Sequence, residues 1–178
     1  MAVRRATKAK GMTWPDRLYA QLRAAGVTQF AYVPDAGHKV LIARALADKG
    51  AQAVALTTEE EGVALCAGAD LGGARAVLLM QSSGVGNCVN LLSMIKSGRF
   101  PFLALVSMRG DFGEGNPWQM PMGQACATVL GAMGVVCVRA DAPEEVAPAT
   151  AAALTMAFGA GNAVAVLLGQ KLIGAKRF

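Results

Sequence analysis

The sequence is poor in metal ligands and has no stretch long enough to cross a membrane. It contains a single histidine, His38, and four cysteines that lie far apart and include no Cys-x-x-Cys pair. Structural zinc sites draw four ligands from closely spaced Cys and His residues, so this pattern predicts none. Apolar residues make up 54% of the chain and the mean hydropathy is +0.40. Even so, no run approaches the roughly 20 apolar residues that a membrane-spanning helix needs.

The first residues, "MAVRRATKAKGM", carry neither the apolar segment nor the cleavage site of a secretory signal. Widely spaced free cysteines also suit a reducing compartment. We therefore expect a cytoplasmic protein with a large buried core and no metal site of its own.

The net charge of +5 is concentrated at one end of the chain. Of the 17 basic residues, four lie within the first ten positions, which leaves 13 to balance 12 acidic residues. These four are Arg4, Arg5, Lys8 and Lys10. We interpret residues 1–12 as a basic N-terminal tail and residues 13–178 as one nearly neutral domain. A nearly neutral domain disfavours a nucleic-acid-binding surface.

Short apolar runs alternate with helical patterns along the chain. The predicted strands cover 29–33, 53–56, 76–80, 102–107, 135–138 and 163–168. The predicted helices begin near Thr13 and continue at 37–49, 60–72, 87–97, 121–133 and 143–158. Strands that are apolar throughout are typical of a parallel sheet covered on both faces. The sequence therefore predicts a single, doubly wound α/β domain with a six-stranded parallel sheet and helices on both faces.

Four segments follow predicted strands, and in such sheets ligands bind beyond the carboxyl ends of the strands. These segments are "PDAGHK" (34–39), "TTEEE" (57–61), "QSSGVGN" (81–87) and "MRGDFGEGNPWQMPM" (108–122). The last segment is long for a connection between a strand and a helix and contains three glycines. It is therefore predicted to be a functional or mobile loop.

Taken singly, the glutamates and the glycine turn allow several interpretations. Glu59, Glu60 and Glu61 could do no more than stabilise the first turn of a helix. A dinucleotide site needs an acidic residue at the end of the next strand, where the chain reads "FLALVS", and the Gly-Lys-Ser/Thr of a phosphate loop is missing. Cys88 lies next to the turn but has no obvious base partner, which favours a buried structural cysteine over a nucleophile.

Three motifs in a fixed order carry a family resemblance: "TEEEGVALCAG" (58–68), "MQSSGVGNCVN" (80–90) and "RGDFGEGNPWQMPMG" (109–123). Together they resemble the pyrimidine-binding domain of thiamine diphosphate enzymes. The resemblance is strongest to the alpha subunit of sulfopyruvate decarboxylase and the N-terminal half of phosphonopyruvate decarboxylase. It runs from about Thr13 to Leu168.

The resemblance implies a specific role for one of the three glutamates. In this family a carboxylic acid beside N1′ of the cofactor pyrimidine shares a proton with the ring and stabilises the imino form of its 4′-amino group. That glutamate stands four residues before a Val-Ala-Leu sequence, a position that Glu59 occupies here. Glu60 and Glu61 are then neighbours of lesser consequence. The small-residue helix that follows is expected to pack against a partner subunit.

The resemblance also implies the other cofactor contacts. It places Ser83, Gly84, Val85 and Asn87 along the pyrimidine, with Gly86 permitting the turn. The loop after the first strand contributes a further predicted cofactor contact, Pro34. The commoner turn in the superfamily reads Gly-Pro-Gly, and Val85 takes the place of its proline.

A second implication is that the chain needs a partner. In this superfamily the diphosphate and its Mg²⁺ are held by a Gly-Asp-Gly motif with a later asparagine, because a hard cation prefers oxygen ligands. "RGDFGEG" (109–115) lacks that pattern. We expect a beta subunit that carries the diphosphate-binding domain and holds Mg²⁺, in a hetero-oligomer with at least two copies of each chain.

The family's substrate loop reads Val-Pro-Asp-Ser followed closely by Lys-Pro-Leu, whereas this chain reads "VPDAGHKVL" (33–41). The departures leave the substrate open. The predicted substrate contacts are Asp35, Ala36, His38, Lys39, Arg109, Gln119 and Met122. His38, Lys39 and Arg109 together are expected to suit a dianionic sulfonate or phosphonate. The alternative for His38 is a surface histidine beside a turn.

The sequence therefore favours the alpha subunit of a thiamine diphosphate-dependent 2-oxo acid decarboxylase, most closely one that converts 3-sulfopyruvate to sulfoacetaldehyde and CO₂. The alternative within the same class is a decarboxylase or carboligase that acts on phosphonopyruvate or another 2-oxo acid. The alternative of another class is a non-catalytic α/β module with a nucleotide-binding or regulatory role. In such a module the glutamates would only cap a helix.

Overall fold

The structure is a computed structural model that describes residues 12–175, so apart from Met12 the predicted basic tail lies outside the described residues. The strands are β1 (Val27–Tyr32), β2 (Gln52–Ala55), β3 (Arg75–Gln81), β4 (Phe102–Ser107), β5 (Val136–Ala140) and β6 (Ala163–Leu168). The helices are α1 (Trp14–Ala24), α2 (Lys39–Ala47), α3 (Glu59–Leu71), α4 (Val85–Cys88), α5 (Leu92–Gly98), α6 (Met120–Ala132), α7 (Pro143–Leu154) and α8 (Gln170–Ile173).

The six strands form one sheet in the order β2-β1-β3-β4-β6-β5, and every neighbouring pair is parallel. This confirms the predicted α/β architecture. The strand order reverses beside β1, which pairs with both β2 and β3. At such a switch point the loops that leave adjacent strands diverge and open a crevice. The carboxyl ends of β1, β3 and β4 therefore meet at one edge.

The core consists of two apolar clusters, one on each face of the sheet. Along β3, Leu78 and Met80 belong to one cluster while Val77 and Leu79 belong to the other. This alternation explains why the inner strands are apolar throughout, since successive side chains point to opposite faces and both faces are covered. All six residues of β4 are buried, and the edge strands β2 and β5 are partly exposed.

Local signals explain where the helices begin and end. Thr13 and Asp16 form a capping box at the start of α1, and Gly26 follows the helix with a φ of 80°, a left-handed conformation that glycine adopts without strain. At the start of α7, Glu145 Oε2 accepts hydrogen bonds from the N–H groups of Asp141 and Ala142.

Two predicted helices differ from the structure. The predicted helix 87–97 is divided into α4 and α5, because Ser93 and Met94 bond three residues back, to the carbonyls of Asn90 and Leu91, and so wind the chain too tightly for one α-helix. The predicted helix 143–158 ends as α7 at Leu154 and continues as a π turn over Thr155–Gly159. The short helix α8 was not predicted.

Within residues 12–175, no helix is both long and apolar enough to span a bilayer. The same residues contain no group of three or more His, Cys, Asp and Glu side chains that could hold a metal ion.

Candidate active site

The three glutamates lie at the carboxyl edge of the sheet, in the first turn of α3. Glu59 is the first residue of the helix and is only 8% exposed, whereas Glu60 is half-buried and Glu61 is exposed. The helix follows β2 after a short connection, so its N-terminus points out of the strand ends. Backbone N–H groups and the positive end of the helix dipole favour a carboxylate at this place.

The three carboxylates have different partners. Glu59 Oε2 accepts a hydrogen bond from Asn87 Nδ2 at 2.8 Å, across the gap to the turn after β3. Glu61 Oε2 accepts from the backbone N–H of Thr57 at 2.8 Å, which is a helix-capping contact. Within the described residues, the buried Oε2 of Glu60 has no hydrogen-bond partner. All three glutamates therefore lie where the dipole of α3 favours carboxylates, and Glu61 is the one of the three that bonds to a backbone N–H beside the start of the helix.

The turn after β3 is shaped around Glu59. Ser82–Gly84 form one turn of 3₁₀ helix that leads directly into α4. A Cβ at position 84 would overlap the Glu59 carboxyl group, so glycine is required there for the acid to lie against the backbone. Val85 is fully buried in the core, and an added Cβ at Gly86 would lie 3.5 Å from Met122 Sδ.

Cys88 is a core residue. Its Sγ lies 3.9 Å from Met80 Sδ, and burial raises the pKa of the thiol to about 12, with the carboxylates of Glu59 and Glu60 adding to the rise. A thiol with such a pKa is a poor nucleophile at neutral pH. This agrees with the interpretation of Cys88 as structural.

Asp35, in the loop after β1, is tied to two neighbouring strand ends. Its Oδ2 accepts from Ser107 Oγ at 2.6 Å and from the Gly37 N–H at 2.9 Å, while Oδ1 accepts from Gln81 Nε2 at 3.1 Å. Burial acts to raise the pKa of Asp35, but these hydrogen bonds together with nearby His38 outweigh it and lower that pKa. Asp35 is therefore held as a carboxylate.

His38 is completely buried, so the alternative of a surface histidine is wrong. Its Nε2 lies 3.1 Å from the Met80 carbonyl oxygen, and Nδ1 is buried with no hydrogen-bond partner among the described residues. Burial lowers the pKa of the ring, which favours neutral imidazole. The prediction that His38 contacts the substrate finds no support, because the ring has no exposed surface.

Lys39 and Pro34 border a groove of about 400 Å³ beside α2, which also includes Asp35 and Ala36. Lys39 is exposed and begins α2. Asp35 and Ala36 also line a second, more polar cavity of about 230 Å³ with Arg109. Two cavities therefore meet at the loop after β1.

Arg109 is already paired within its own loop. Its Nε and Nη2 donate to the two carboxylate oxygens of Glu114 at 2.6 and 2.8 Å. The pairing lowers the pKa of Glu114 to about 2 and raises that of Arg109. The expected three-residue grip of His38, Lys39 and Arg109 on a dianion therefore needs correction, because His38 is buried and neutral and the charge of Arg109 is largely compensated.

The long loop after β4 is anchored. Gln170 is completely buried, accepts from the N–H groups of Asp111 and Phe112 at 3.2 and 3.1 Å, and donates to Glu114 Oε2 at 3.0 Å. An ion pair between Arg139 and Asp111 joins the same loop to β5. A predicted mobile loop is thus held by buried polar contacts that come from later in the chain.

The far end of this loop exposes apolar surface next to the glycine turn. Met122 and Ser83 line a groove of about 630 Å³ with Pro117 and Trp118, and Trp118 is 83% exposed. The side-chain oxygen of Gln119 is buried without a partner among the described residues. Met122 thus meets the predicted cofactor turn, whereas the structure does not bring Gln119 into either cavity of the substrate loop.

The structure groups the predicted site residues into two neighbouring sets. Glu59, Gly84 and Asn87 form one, and Asp35, Ala36 and Arg109 form the other. Four site residues were not predicted: Gln81, Ser107, Glu114 and Gln170. The position of Gln81 and Ser107 at strand ends is the one signal that could have found them.

Comparison with known proteins places this architecture in context. No family model matches the sequence. The fold is shared with a 2-oxoglutarate:ferredoxin oxidoreductase from Magnetococcus marinus, solved with 2-oxoglutarate, coenzyme A and succinyl-CoA bound. The TM-score is 0.73 at 17% sequence identity, covering 91% of this chain and 29% of that one.

Relatives that are similar in sequence identify the family of this chain more narrowly. Sulfopyruvate decarboxylase subunit alpha from Methanococcus maripaludis is 36% identical over 135 residues, which are 75% of this chain and 81% of the relative. Phosphonopyruvate decarboxylase from Streptomyces viridochromogenes is 38% identical over 98 residues, 54% of this chain and 25% of the relative. The class of protein that these sequence relatives define is that of 2-oxo acid decarboxylases. More narrowly, the chain belongs to the sulfopyruvate decarboxylase subunit alpha family.

Proposed function

We propose that this chain is the alpha subunit of a thiamine diphosphate-dependent decarboxylase that converts 3-sulfopyruvate to sulfoacetaldehyde and CO₂ in the cytoplasm. The observation that carries the proposal is the setting of Glu59, a buried carboxylate that lies against glycine backbone and bonds to Asn87 at the ligand edge of the sheet. Membership of the sulfopyruvate decarboxylase subunit alpha family supports the choice of substrate.

The residues present fit an aminopyrimidine. The space that a Cβ would fill at position 84 is occupied by the Glu59 carboxyl, and the groove lined by Ser83 and Met122 opens beside the same turn. Glu59, Gly84 and Asn87 would hold the ring, with Ser83 and Gly86 beside it. When bound, thiamine diphosphate would supply a nucleophile for the 2-oxo group and an acceptor for the electron pair that CO₂ leaves behind.

The chain's own contribution is proton control and shielding. With the ring bound, the Glu59 carboxyl group would share a proton with a ring nitrogen, and Asn87 fixes the rotamer of that group by donating to Oε2. Low exposure of Glu59 strengthens this contact, because water does not compete for it. Gly84 allows the carboxyl and the turn to lie at contact distance.

For the substrate we propose the polar cavity beside the loop after β1. Arg109 lines this cavity and keeps donors beyond those that bind Glu114, whereas Lys39 is an exposed cation at the start of α2 that borders the adjoining groove. These two groups remain candidates for a sulfonate, whereas His38 is assigned to the support of the loop. Asp35 and Ala36 would line the path between the two cavities.

We further propose that activity requires a beta subunit that carries a Gly-Asp-Gly motif and Mg²⁺. The relative from M. maripaludis is named a subunit, and this sequence lacks the motif. The exposed Trp118, which lines the groove next to the glycine turn, would be covered by that partner.

The test is to purify the chain with its partner subunit, add thiamine diphosphate, Mg²⁺ and a panel of 2-oxo acids, and follow CO₂ release. Glu59→Gln should reduce turnover by about 10³-fold or more while the variant stays folded, since it removes the proton that the carboxyl shares. Glu61→Gln is the matched control and should cost little, because Glu61 is exposed and caps the helix. Equal losses in both variants would contradict the assignment.

Phosphonopyruvate is the second candidate substrate, favoured by the S. viridochromogenes relative. The same panel separates the two, because a phosphonate carries a second ionisable oxygen and a sulfonate does not. Higher kcat/KM with phosphonopyruvate would reassign the substrate and leave the role of Glu59 intact. A chain that binds a nucleotide without any partner would favour the non-catalytic module instead.

A further inference from the structure

Gln81, the last residue of β3, lies between the two halves of the candidate site. Its Nε2 donates to Oδ1 of Asp35 at 3.1 Å, and its Oε1 accepts from Ser83 Oγ at 3.0 Å. Asp35 lines both cavities of the substrate loop, and Ser83 lines the groove beside the glycine turn. One half-buried amide is therefore bonded to a residue of each half.

Charge determines which way the amide points. An ionised carboxylate only accepts, so the NH₂ group of Gln81 must face Asp35 and its oxygen must face the Ser83 hydroxyl. A flipped amide would put two oxygens together and leave Ser83 without this acceptor. Gln81 therefore does what neither glutamate nor a hydrophobic residue of the same length could do at this position.

The Asp35 carboxylate has few other hydrogen-bond donors. Ser107 and the N–H of Gly37 donate to Oδ2, and Gln81 is the side chain that donates to Oδ1. The charged and titratable groups that face Asp35 are His38, which is buried and neutral, and Arg109, which is paired with Glu114; exposed Lys39 borders the same groove. Removal of Gln81 would therefore leave one oxygen of a partly buried carboxylate without its donor.

We propose that Gln81 is a positioning residue that couples the substrate loop to the cofactor turn, by fixing the Asp35 carboxylate and the Ser83 hydroxyl through one amide. The names of the two halves rest on the proposed function, but the hydrogen-bond geometry does not. Gln81 itself lies at the end of a strand that is paired on both sides, so it provides a rigid anchor for both loops.

The first measurement needs neither partner nor cofactor. Carboxyl ¹³C NMR titration of the full-length chain should give a higher pKa for Asp35 in Gln81→Met than in the unmodified protein, because a hydrogen bond that favours the charged form is lost. Gln52→Met is the matched control: it makes the same substitution at an exposed residue of β2, and it should leave the pKa of Asp35 and the activity unchanged. An unchanged Asp35 pKa in Gln81→Met would overturn the proposal.

The second measurement uses the reconstituted pair. The acid limb of the pH profile of kcat/KM should move to higher pH in Gln81→Met, and kcat/KM at neutral pH should fall by about tenfold, because a misaligned loop positions the substrate less well. A purely structural role would lower the yield of folded protein without moving the limb, and that result would also overturn the proposal. If Gln81→Met fails to fold, Gln81→Glu is measured instead. We expect it to raise the pKa of Asp35 further, because a second carboxylate then lies beside it.

The two measurements separate this proposal from the proposed function. A raised Asp35 pKa in a pair that decarboxylates no 2-oxo acid would refute the function and leave the positioning role standing. Turnover of 2-oxo acids with an unmoved Asp35 pKa and an unmoved acid limb would refute the positioning role and leave the function standing.

Discussion

The turn after β3 and the loop after β4 leave adjacent strands of the same sheet, yet they are held in opposite ways. The turn is short, and because Gly84 has no side chain, the Glu59 carboxyl group lies directly against the backbone. The loop is long and is held by the Arg109–Glu114 ion pair and by hydrogen bonds of the buried Gln170 amide. A small part of the loop is buried deeply, while Trp118 extends into solvent.

This difference agrees with the roles that we propose for the two segments. An acid that shares a proton with a ligand needs a fixed position and little water, and close backbone packing provides both. A segment that meets another chain needs a rigid base and an exposed apolar end. The ion pair provides the rigid base, and the aromatic residue provides the apolar end. The first segment is therefore expected to tolerate almost no added volume, and the second to tolerate change at its tip more readily than at its base.

The largest expected effect is at the turn. Gly84→Ala introduces a Cβ that overlaps the Glu59 carboxyl, which must then move. We expect turnover of the reconstituted pair to fall by about 10²-fold, the cost of misplacing a catalytic group by about 1 Å. Gly131→Ala near the end of α6 is the control, because a Cβ there meets nothing within 4 Å. Equal activity of both variants would show that the turn is less tightly built than described.

The next effect is at the base of the loop. Glu114→Ala removes the partner of Arg109 and leaves Gln170 with an unpaired donor. We expect the free energy of unfolding to fall by about 2 kcal/mol, the cost of leaving buried polar groups unsatisfied. Chemical denaturation measures it. Asp141→Ala, at an exposed ion pair with Arg139, should cost much less; a similar loss in both would contradict the description of the Glu114 site as buried.

The same carboxylate predicts a dependence on pH. The pKa of Glu114 is about 2 in the folded chain against an ordinary value of 4.5, so its contribution to stability is present above pH 4.5 and is lost as the pH falls toward 2. Stability of the unmodified chain should therefore decline more steeply between pH 5 and pH 2 than that of Glu114→Gln. Parallel declines, measured by denaturation at each pH, would show that Glu114 is not ionised against Arg109.

The smallest expected effect is at the tip of the loop. Trp118→Ala should weaken association with the partner subunit by about tenfold, because a large exposed aromatic residue is a typical interface anchor. Sedimentation or titration calorimetry of the two chains measures this. Val136→Ala, at an exposed apolar residue that begins β5, is the comparison, and an equal or larger loss there would show that Trp118 is not the anchor.

Much of the fold could be predicted because it depends on local patterns. The predicted strands 102–107 and 163–168 coincide with β4 and β6, and predicted helix 60–72 differs from α3 by one residue at each end. Apolar runs without alternation, together with the glycines between them, are sufficient to indicate a parallel sheet covered on both faces. The break between α4 and α5 was not predicted. Nothing in the local sequence indicates whether an N–H bonds to the carbonyl three residues back or to the one four residues back.

The candidate site was predicted unevenly. Glu59 could be identified through its motif, and the structure buries it beside Asn87. His38 was predicted at the surface of the site and lies inside the core, because the loop after β1 turns the ring onto the carbonyl of Met80. A histidine in a polar segment carries no local sign of the direction in which it will face.

Hydrophobic periodicity and turn residues act between near neighbours in the chain, so the residue pattern was enough to predict the layered α/β architecture and the edge where a ligand is expected. Glu59 was singled out by the family resemblance of its motif. The link from Asp35 through Gln81 to Ser83, and the contacts of Glu114 with Arg109 and with Gln170, 56 residues away, emerge only in the folded chain. Such partners are selected by which strand ends become neighbours in the sheet, and separation along the chain says nothing about that.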